Sequence, residues 1–218
     1  MNKAIEHQQV DLKNAPNGQE SNPRDSILYM DGVSVSFDGF KALSELSLVV
    51  ERGEMRAVIG PNGAGKTTMM DVISGRTKPD QGRVIFSGKT DLTRLDESTI
   101  AELGIGRKFQ KPTVFEKQTV YQNLALALKS DRKVFQKLFR HLTKTSKVHL
   151  QEILDVISLS DQRNLLAGGL SHGQKQWLEI GMLLAQDPEF LMVDEPVAGM
   201  TDLETEQTVE LLKRISIN

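Results

Sequence analysis

The sequence contains no cysteine. Disulfide bridges and thiolate metal centres are therefore excluded, and cysteine usage names no redox compartment. Aromatic residues are sparse, at 5%. No apolar run reaches the roughly 20 residues that a membrane-spanning helix needs. Any role at a membrane is thus expected to run through a partner. Residues 1–10 include Glu6 and have no apolar core, so they do not read as a secretory signal. An excess of one charge is missing too: 27 Lys and Arg stand against 29 Asp and Glu, a net charge of −2. That balance gives no global attraction to nucleic acid or to an anionic membrane. What remains is the composition of a soluble globular protein, 39% hydrophobic and 26% charged. At 218 residues the chain can bury a sizeable core, as one large domain or one domain with an inserted part.

Taken in order, residues 1 to about 26 are rich in Asn, Gln, Asp, Glu, Pro and Gly and read as a disordered tail. The pattern changes at Ile27. Residues 27–30, 33–37 and 46–50 read as strands, with Asp38-Gly39 as a turn. The apolar run 55–59 reads as a strand entering a glycine-rich loop. A helix is expected from Lys66 to about Ser74, stopped by Gly75. Residues 83–86 read as a short strand, and Asp96 is placed to cap a helix that ends before Gly104. Residues 105–109 read as extended. From about 119 to 169 the pattern is helical, in segments 120–128, 133–142 and 148–157 with no strand between them. This predicts a helical subdomain inserted into an α/β core. A further helix over 171–185, a buried strand over 189–193 and a last helix from 202 to about 215 complete the chain.

The stretch with the most chemical content is Gly60-Pro61-Asn62-Gly63-Ala64-Gly65-Lys66-Thr67-Thr68. It has the spacing G-x-x-x-x-G-K-[ST], between an apolar run and a helical pattern. Glycines let the backbone turn tightly with several N–H groups facing inward. Those groups and the start of the next helix favour an anion. Lys66 would reach the β- and γ-phosphates of a nucleotide, and the Thr67 hydroxyl would sit on Mg²⁺. Such a loop needs a carboxylate at the end of a neighbouring strand. Asp194 and Glu195 follow the apolar residues 190–193 and fit that need. The first acid would hold Mg²⁺ and the second would orient and deprotonate the attacking water. Two adjacent acids are elsewhere a solvated loop or a helix cap; the apolar strand in front of this pair favours the chemical reading. Leu170-Ser171-His172-Gly173-Gln174 opens a helix. Its Ser171 offers a hydroxyl at the helix start, and Gly173 permits close backbone approach.

The order of phosphate loop, Gln110, Leu-Ser-x-Gly-Gln, apolar strand and Asp-Glu-Pro resembles the ATP-binding cassette ATPases, from Ile27 to the last residue. The resemblance implies an α/β fold: a RecA-like P-loop NTPase core with an N-terminal antiparallel β subdomain and a helical subdomain inserted at about 115–170, all within 27–218. It implies ATP and Mg²⁺ as ligands, with Gly60 to Thr68 cradling the phosphates and Thr67, Gln110 and Asp194 at the metal. Glu195 would be the catalytic base. Phe37 matches the aromatic that stacks on adenine, with Tyr29 as the weaker candidate, and a half-buried strand position accounts for Phe37 equally well. Two cassettes would pair head to tail, with Ser171, Gly173 and Gln174 of one facing the ATP of the other. His172 departs from the common glycine, and Ala198-Gly199-Met200-Thr201-Asp202 departs from the usual wording of the loop that crosses the dimer.

The same resemblance implies permease subunits as partners, a periplasmic or extracellular binding protein acting indirectly, and a place on the cytoplasmic face of the membrane. The wording of residues 106–112, 171–177 and 197–202 looks like the urea-import branch of the branched-chain amino acid transporter group. Nothing in those residues binds urea. The short basic stretch 107–111 is expected in a solvated loop or a permease-facing surface rather than on nucleic acid. The family places a γ-phosphate-contacting histidine on a strand-loop beyond Asn218, so the sequence reads as a C-terminally truncated form with its final strands missing. Such a form is expected to hydrolyse ATP slowly or not at all. A non-hydrolysing fragment and a soluble cassette acting on nucleic acid are the rival readings.

Overall fold

The computed structural model describes residues 26–108, 114–128 and 143–217. Its first layer is an antiparallel sheet in the order β2-β1-β3-β4, made of β1 (Ser26–Phe37), β2 (Phe40–Glu51), β3 (Gln81–Phe86) and β4 (Thr90–Asp91). The β1–β2 hairpin turns on Asp38 and Gly39, both at positive φ, 47° and 84°. That is the two-residue turn whose twist matches the flanking strands. The two segments expected over 27–37 form one strand, with a register shift between Met30 and Val33. The second layer is a parallel pair, β5 (Ile105–Lys108) and β6 (Phe190–Val193), in which Lys108 stands opposite Val193.

The helices begin where the sequence supplies caps. α1 (Lys66–Ile73) starts at Gly65, and α2 (Glu97–Glu102) is capped by Asp96, whose carboxylate accepts the Thr99 N–H at 2.7 Å. α3 (Val120–Ala127) carries a capping box between Thr119 and Gln122. α4 (Lys144–Val156) begins earlier than the apolar periodicity predicts, because Thr143 accepts the Ser146 N–H. α5 (His172–Leu184) and α6 (Asp202–Ile217) complete the order. The predicted helix over 133–142 lies outside the described residues.

Two apolar cores result among the described residues. One lies between the antiparallel sheet, α1 and α2, and includes Leu28, Met30, Ile73, Leu92 and Ile100. The other joins α3, α4 and α5 through Leu124, Leu154, Leu178 and Ile180, with Leu211 of α6. The helices α3 and α4 therefore share their core with α5. Each buried Leu or Ile contributes about 1.5–3 kcal/mol relative to exposure.

One expected element is not formed. Residues 55–59 carry no strand, and Met55, Val58 and Ile59 are 58%, 43% and 93% exposed. An apolar run becomes a strand only where neighbours supply ladder bonds and a buried face. No described strand pairs with this one. The run is nevertheless bracketed, since Arg52 before it pairs with Glu189 at 3.4 Å, just ahead of β6.

The lead-in to α3 hangs on Asn123, which is fully buried. Its Oδ1 accepts the Phe115 N–H at 2.7 Å, and its Nδ2 donates to Phe115 O and Thr119 O at 3.1 and 2.9 Å. Replacing it leaves the Phe115 N–H without its partner, whereas Phe115 O and Thr119 O keep the Gln118 and Asn123 N–H groups. Asn123→Ala should lower the unfolding free energy by about 2 kcal/mol in urea titrations, and an unchanged midpoint would contradict this assignment.

Candidate functional site: the phosphate loop and the end of β6

The loop before α1 is shaped by two left-handed glycines, Gly63 at φ 79° and Gly65 at φ 85°. Gly65 has a second reason to lack a side chain. A Cβ there would stand 2.5 Å from the carbonyl oxygen of Ala42 on β2. The loop thus rests directly on the hairpin layer. Ala64 N–H closes a turn onto Pro61 O at 3.2 Å. Lys66, the first residue of α1, turns back over the loop: its ammonium donates to Gly60 O at 2.5 Å and Pro61 O at 2.8 Å.

A cleft of about 430 Å³ opens beside the loop. Its lining brings together Asn62, Gly63, Gly65, Lys66, Thr67 and Thr68 with Asp194 and Glu195, and with Phe37 at its rim. Gly60, Pro61 and Ala64 do not line the cleft; they supply the carbonyls that Lys66 binds and the turn that Ala64 closes. Asp194 is buried at 7% exposure, while Glu195 is exposed. Glu195 sits in the left-handed region at φ 47°, costly for a side-chain-bearing residue. Backbone bonds from Ala198 N to Glu195 O and from Met200 N to Val197 O, both 3.2 Å, hold the turn that imposes it. Gln110 lies outside the described residues. Sequence reading missed Phe40, 66% exposed, and Ala42, both lining the same cleft. An aromatic on each side of the Asp38-Gly39 turn was the available signal.

Ser171, Gly173 and Gln174 do not line this cleft. Ser171 is the N-cap of α5, and Gln174 closes a capping box with it through bonds of 3.0 and 3.2 Å. The Ser171 hydroxyl donates to Glu204 on α6 at 2.9 Å. Hydrogen bonds from the Thr201 N–H, and then from Ser171, hold the Glu204 carboxyl below its ordinary pKa. His172 makes no metal cluster; its Nε2 stands 3.0 Å from Gln176 Nε2 and 3.3 Å from Ala198 O. Among the described residues no group of three or more His, Asp or Glu could hold a metal ion by itself.

The expected solvated, permease-facing placement of Arg107 and Lys108 is overturned: their residue exposures are 9% and 3%. Successive strand residues face opposite sides, and each side has a partner. Arg107 Nη1 binds Asp71 of α1 at 2.6 Å and the Ser74 hydroxyl at 3.0 Å. Lys108 Nζ stands 3.5 Å from the carboxylate of Glu179 on α5. β5 therefore ties the phosphate-loop helix to the helix that begins at Ser171.

With this geometry in place, comparison with known proteins gives a family. A family model described as ABC transporter matches residues 43–198. The chain belongs to the ABC transporter ATPase family. It is 34% identical over 200 residues to a probable branched-chain amino acid transport ATP-binding protein, LivG, of Archaeoglobus fulgidus, covering 84% of this chain and 73% of that one. The high-affinity LivG of Salmonella typhimurium is 33% identical, with 87% and 76% covered. The lipopolysaccharide export ATP-binding protein LptB of Haemophilus influenzae is 31% identical, with 86% and 74% covered. Among solved structures, the ADP conformation of an ATP-binding cassette of an ABC transporter superposes with a TM-score of 0.76 at 31% identity, covering 88% of this chain and 77% of that one. The fold is thus that of an ABC ATPase, a P-loop, ATP-hydrolysing domain of mixed α/β structure. No described helix is long and apolar enough to cross a membrane.

The contact between Gly65 and Ala42 makes a sharp test. Gly65→Ala would force a left-handed backbone onto alanine and drive its Cβ into a carbonyl. Affinity for a fluorescent ATP analogue should fall at least about tenfold, and binding within twofold of the parent would contradict the constraint.

Proposed function

We propose that this chain is the ATPase subunit energising an ABC importer, and that the imported substrate is urea. The observation that carries the ATPase reading is the single cleft that gathers Lys66, Thr67, Asp194 and Glu195 from two distant stretches of sequence. Lys66 binds the β- and γ-phosphates, and the N–H groups of Gly63 to Thr68 hold the remaining phosphate oxygens. Thr67 and Asp194 offer the hard oxygen donors that Mg²⁺ prefers, with Gln110 as the third group, and phosphate and water complete the shell. Mg²⁺, when bound, neutralises charge on the phosphate oxygens. Glu195, exposed at the mouth of the cleft, orients the attacking water and takes its proton. Phe37 stacks on adenine, and Phe40, its register partner beside the Asp38-Gly39 turn, lines the same cleft.

Ser171, Gly173 and Gln174 act on the ATP of a second cassette. Their position outside the cleft supports this, because one chain then carries two unlike halves of a site. The ATPase domain covers 27–218, and its helical subdomain, about 115–170, meets the permease. The chain thereby works at the cytoplasmic face of the membrane without entering it, and a substrate-binding protein acts through the permease. Relatives named as transport ATP-binding proteins support that placement.

Urea rests on the wording of residues 106–112, 171–177 and 197–202. The LivG relatives, whose names specify branched-chain amino acids, favour a second reading in which amino acids or short amides are carried. Uptake of labelled urea and of labelled leucine by cells lacking the gene separates the two. Loss of urea uptake alone supports the first reading, and loss of leucine uptake alone overturns it.

The role of Glu195 has its own test. Glu195→Gln should bind ATP as the parent does, while steady-state hydrolysis falls at least about a hundredfold. Unchanged turnover would remove Glu195 from the chemistry.

A further inference from the structure

The start of α5 already holds an anion, and the anion belongs to this chain. Ser171 Oγ donates to Glu204 Oε1 at 2.9 Å, and the Gly173 N–H, at the same helix start, helps to hold that carboxyl below its ordinary pKa. The other oxygen, Oε2, accepts the Thr201 N–H at 3.1 Å and the Thr201 hydroxyl at 3.0 Å. Those last two bonds have an ordinary explanation. Thr201-x-x-Glu204 is a capping box at the first turn of α6, completed by Glu204 N–H to Thr201 Oγ1 at 3.3 Å. A capping box needs one carboxylate oxygen. It does not account for Oε1, which reaches across to another helix.

Gly173 makes that reach possible. A Cβ at this position would lie 2.6 Å from Glu204 Oε1, so any larger residue would push the carboxylate out. The space left by the missing side chain is filled by Glu204. It is the same space that the proposed function assigns to a phosphate of the second cassette's ATP. The two helices are also fixed one turn further on, where Trp177 Nε1 donates to Thr208 Oγ1 at 2.9 Å inside the core. The carboxylate is thus held against α5 by its own cap and by the packing of α6.

We propose that Glu204 is a built-in competitor for the phosphate half-site at Ser171 and Gly173, and so sets the ATP concentration at which two cassettes close on each other. The proposal rests on the reading of that half-site given above. A phosphate and the Glu204 carboxylate are both anionic and need the same donors, so both cannot occupy them. Closure is then an exchange of one anion for another. Glu204 has somewhere to go, because a groove of about 540 Å³ bordered by Gln174, Glu206, Gln207 and Arg214 adjoins it. Its release also frees Thr201, which lies on the loop leading back to Glu195. Arrival of phosphate at one half-site is in this way communicated to the catalytic loop of the same chain.

The test uses the full chain carrying Glu195→Gln, with ATP–Mg²⁺ as the probe and sedimentation velocity as the readout. Glu204→Gln keeps the capping box, since glutamine serves there equally, and removes the competing charge. The ATP concentration for half-maximal pairing should fall roughly tenfold. Glu210→Gln, which neutralises a groove carboxylate paired with Lys213 instead, should leave it unchanged. Ser171→Ala should abolish pairing at every ATP concentration. No shift in Glu204→Gln, with Ser171→Ala inactive, overturns the competitor alone. An equal shift in Glu210→Gln reduces the effect to general charge and also overturns it. Pairing by Ser171→Ala as tight as the parent's overturns the half-site reading, and the competitor falls with it.

Discussion

The site depends on four residues of parallel ladder. β5 and β6 are short, and Lys108 opposite Val193 fixes where Asp194 leaves the sheet. Immediately behind that register, two adjacent cations on β5 are buried on opposite faces. Arg107 holds α1 through Asp71 and Ser74, and Lys108 stands against Glu179 on α5. Removing one partner of a buried ion pair leaves a charge without compensation and costs about 3–5 kcal/mol. The strand end, the phosphate-loop helix and the Ser171 helix are therefore locked to one another. The geometry of the cleft follows from that lock, because Lys66 begins α1 and Asp194 directly follows β6.

A second constraint comes from the hairpin layer. Gly65 lies against the Ala42 carbonyl, so the loop can be placed only where β2 lets it rest. The hairpin tip then brings Phe37 and Phe40 to the rim of the cleft. The antiparallel layer is thus one wall of the nucleotide site as well as a partner for α1.

Much of this was legible in sequence where local chemistry decides the outcome. Asp38-Gly39, Asp96 and Ser171 each mark a turn or a helix start by a bond within a few residues, and each stands where expected. The glycine-rich loop and the Asp194-Glu195 pair carry their spacing in the sequence itself. What was not legible depends on partners far along the chain. Residues 55–59 have strand composition, but a strand needs neighbours, and no described strand pairs with them. Arg107 and Lys108 look like surface charges until Asp71 and Glu179 are brought to them from 36 and 71 positions away. Glu204 looks like a helix cap, and its second oxygen matters only once α5 lies beside it. Phe40 was hidden for the same reason.

The two half-sites lie apart in one chain, and the account requires that each be completed by another chain. Mixing two inactive variants tests this most directly. Lys66→Ala damages a chain's own phosphate site, and Ser171→Ala damages what it offers to its partner. A mixed pair contains one site with both defects and one with neither. The account predicts no ATP hydrolysis by either variant alone and measurable hydrolysis when the two are combined. Continued inactivity of the mixture, with the parent chain active under the same conditions and both variants folded and able to associate, would contradict it.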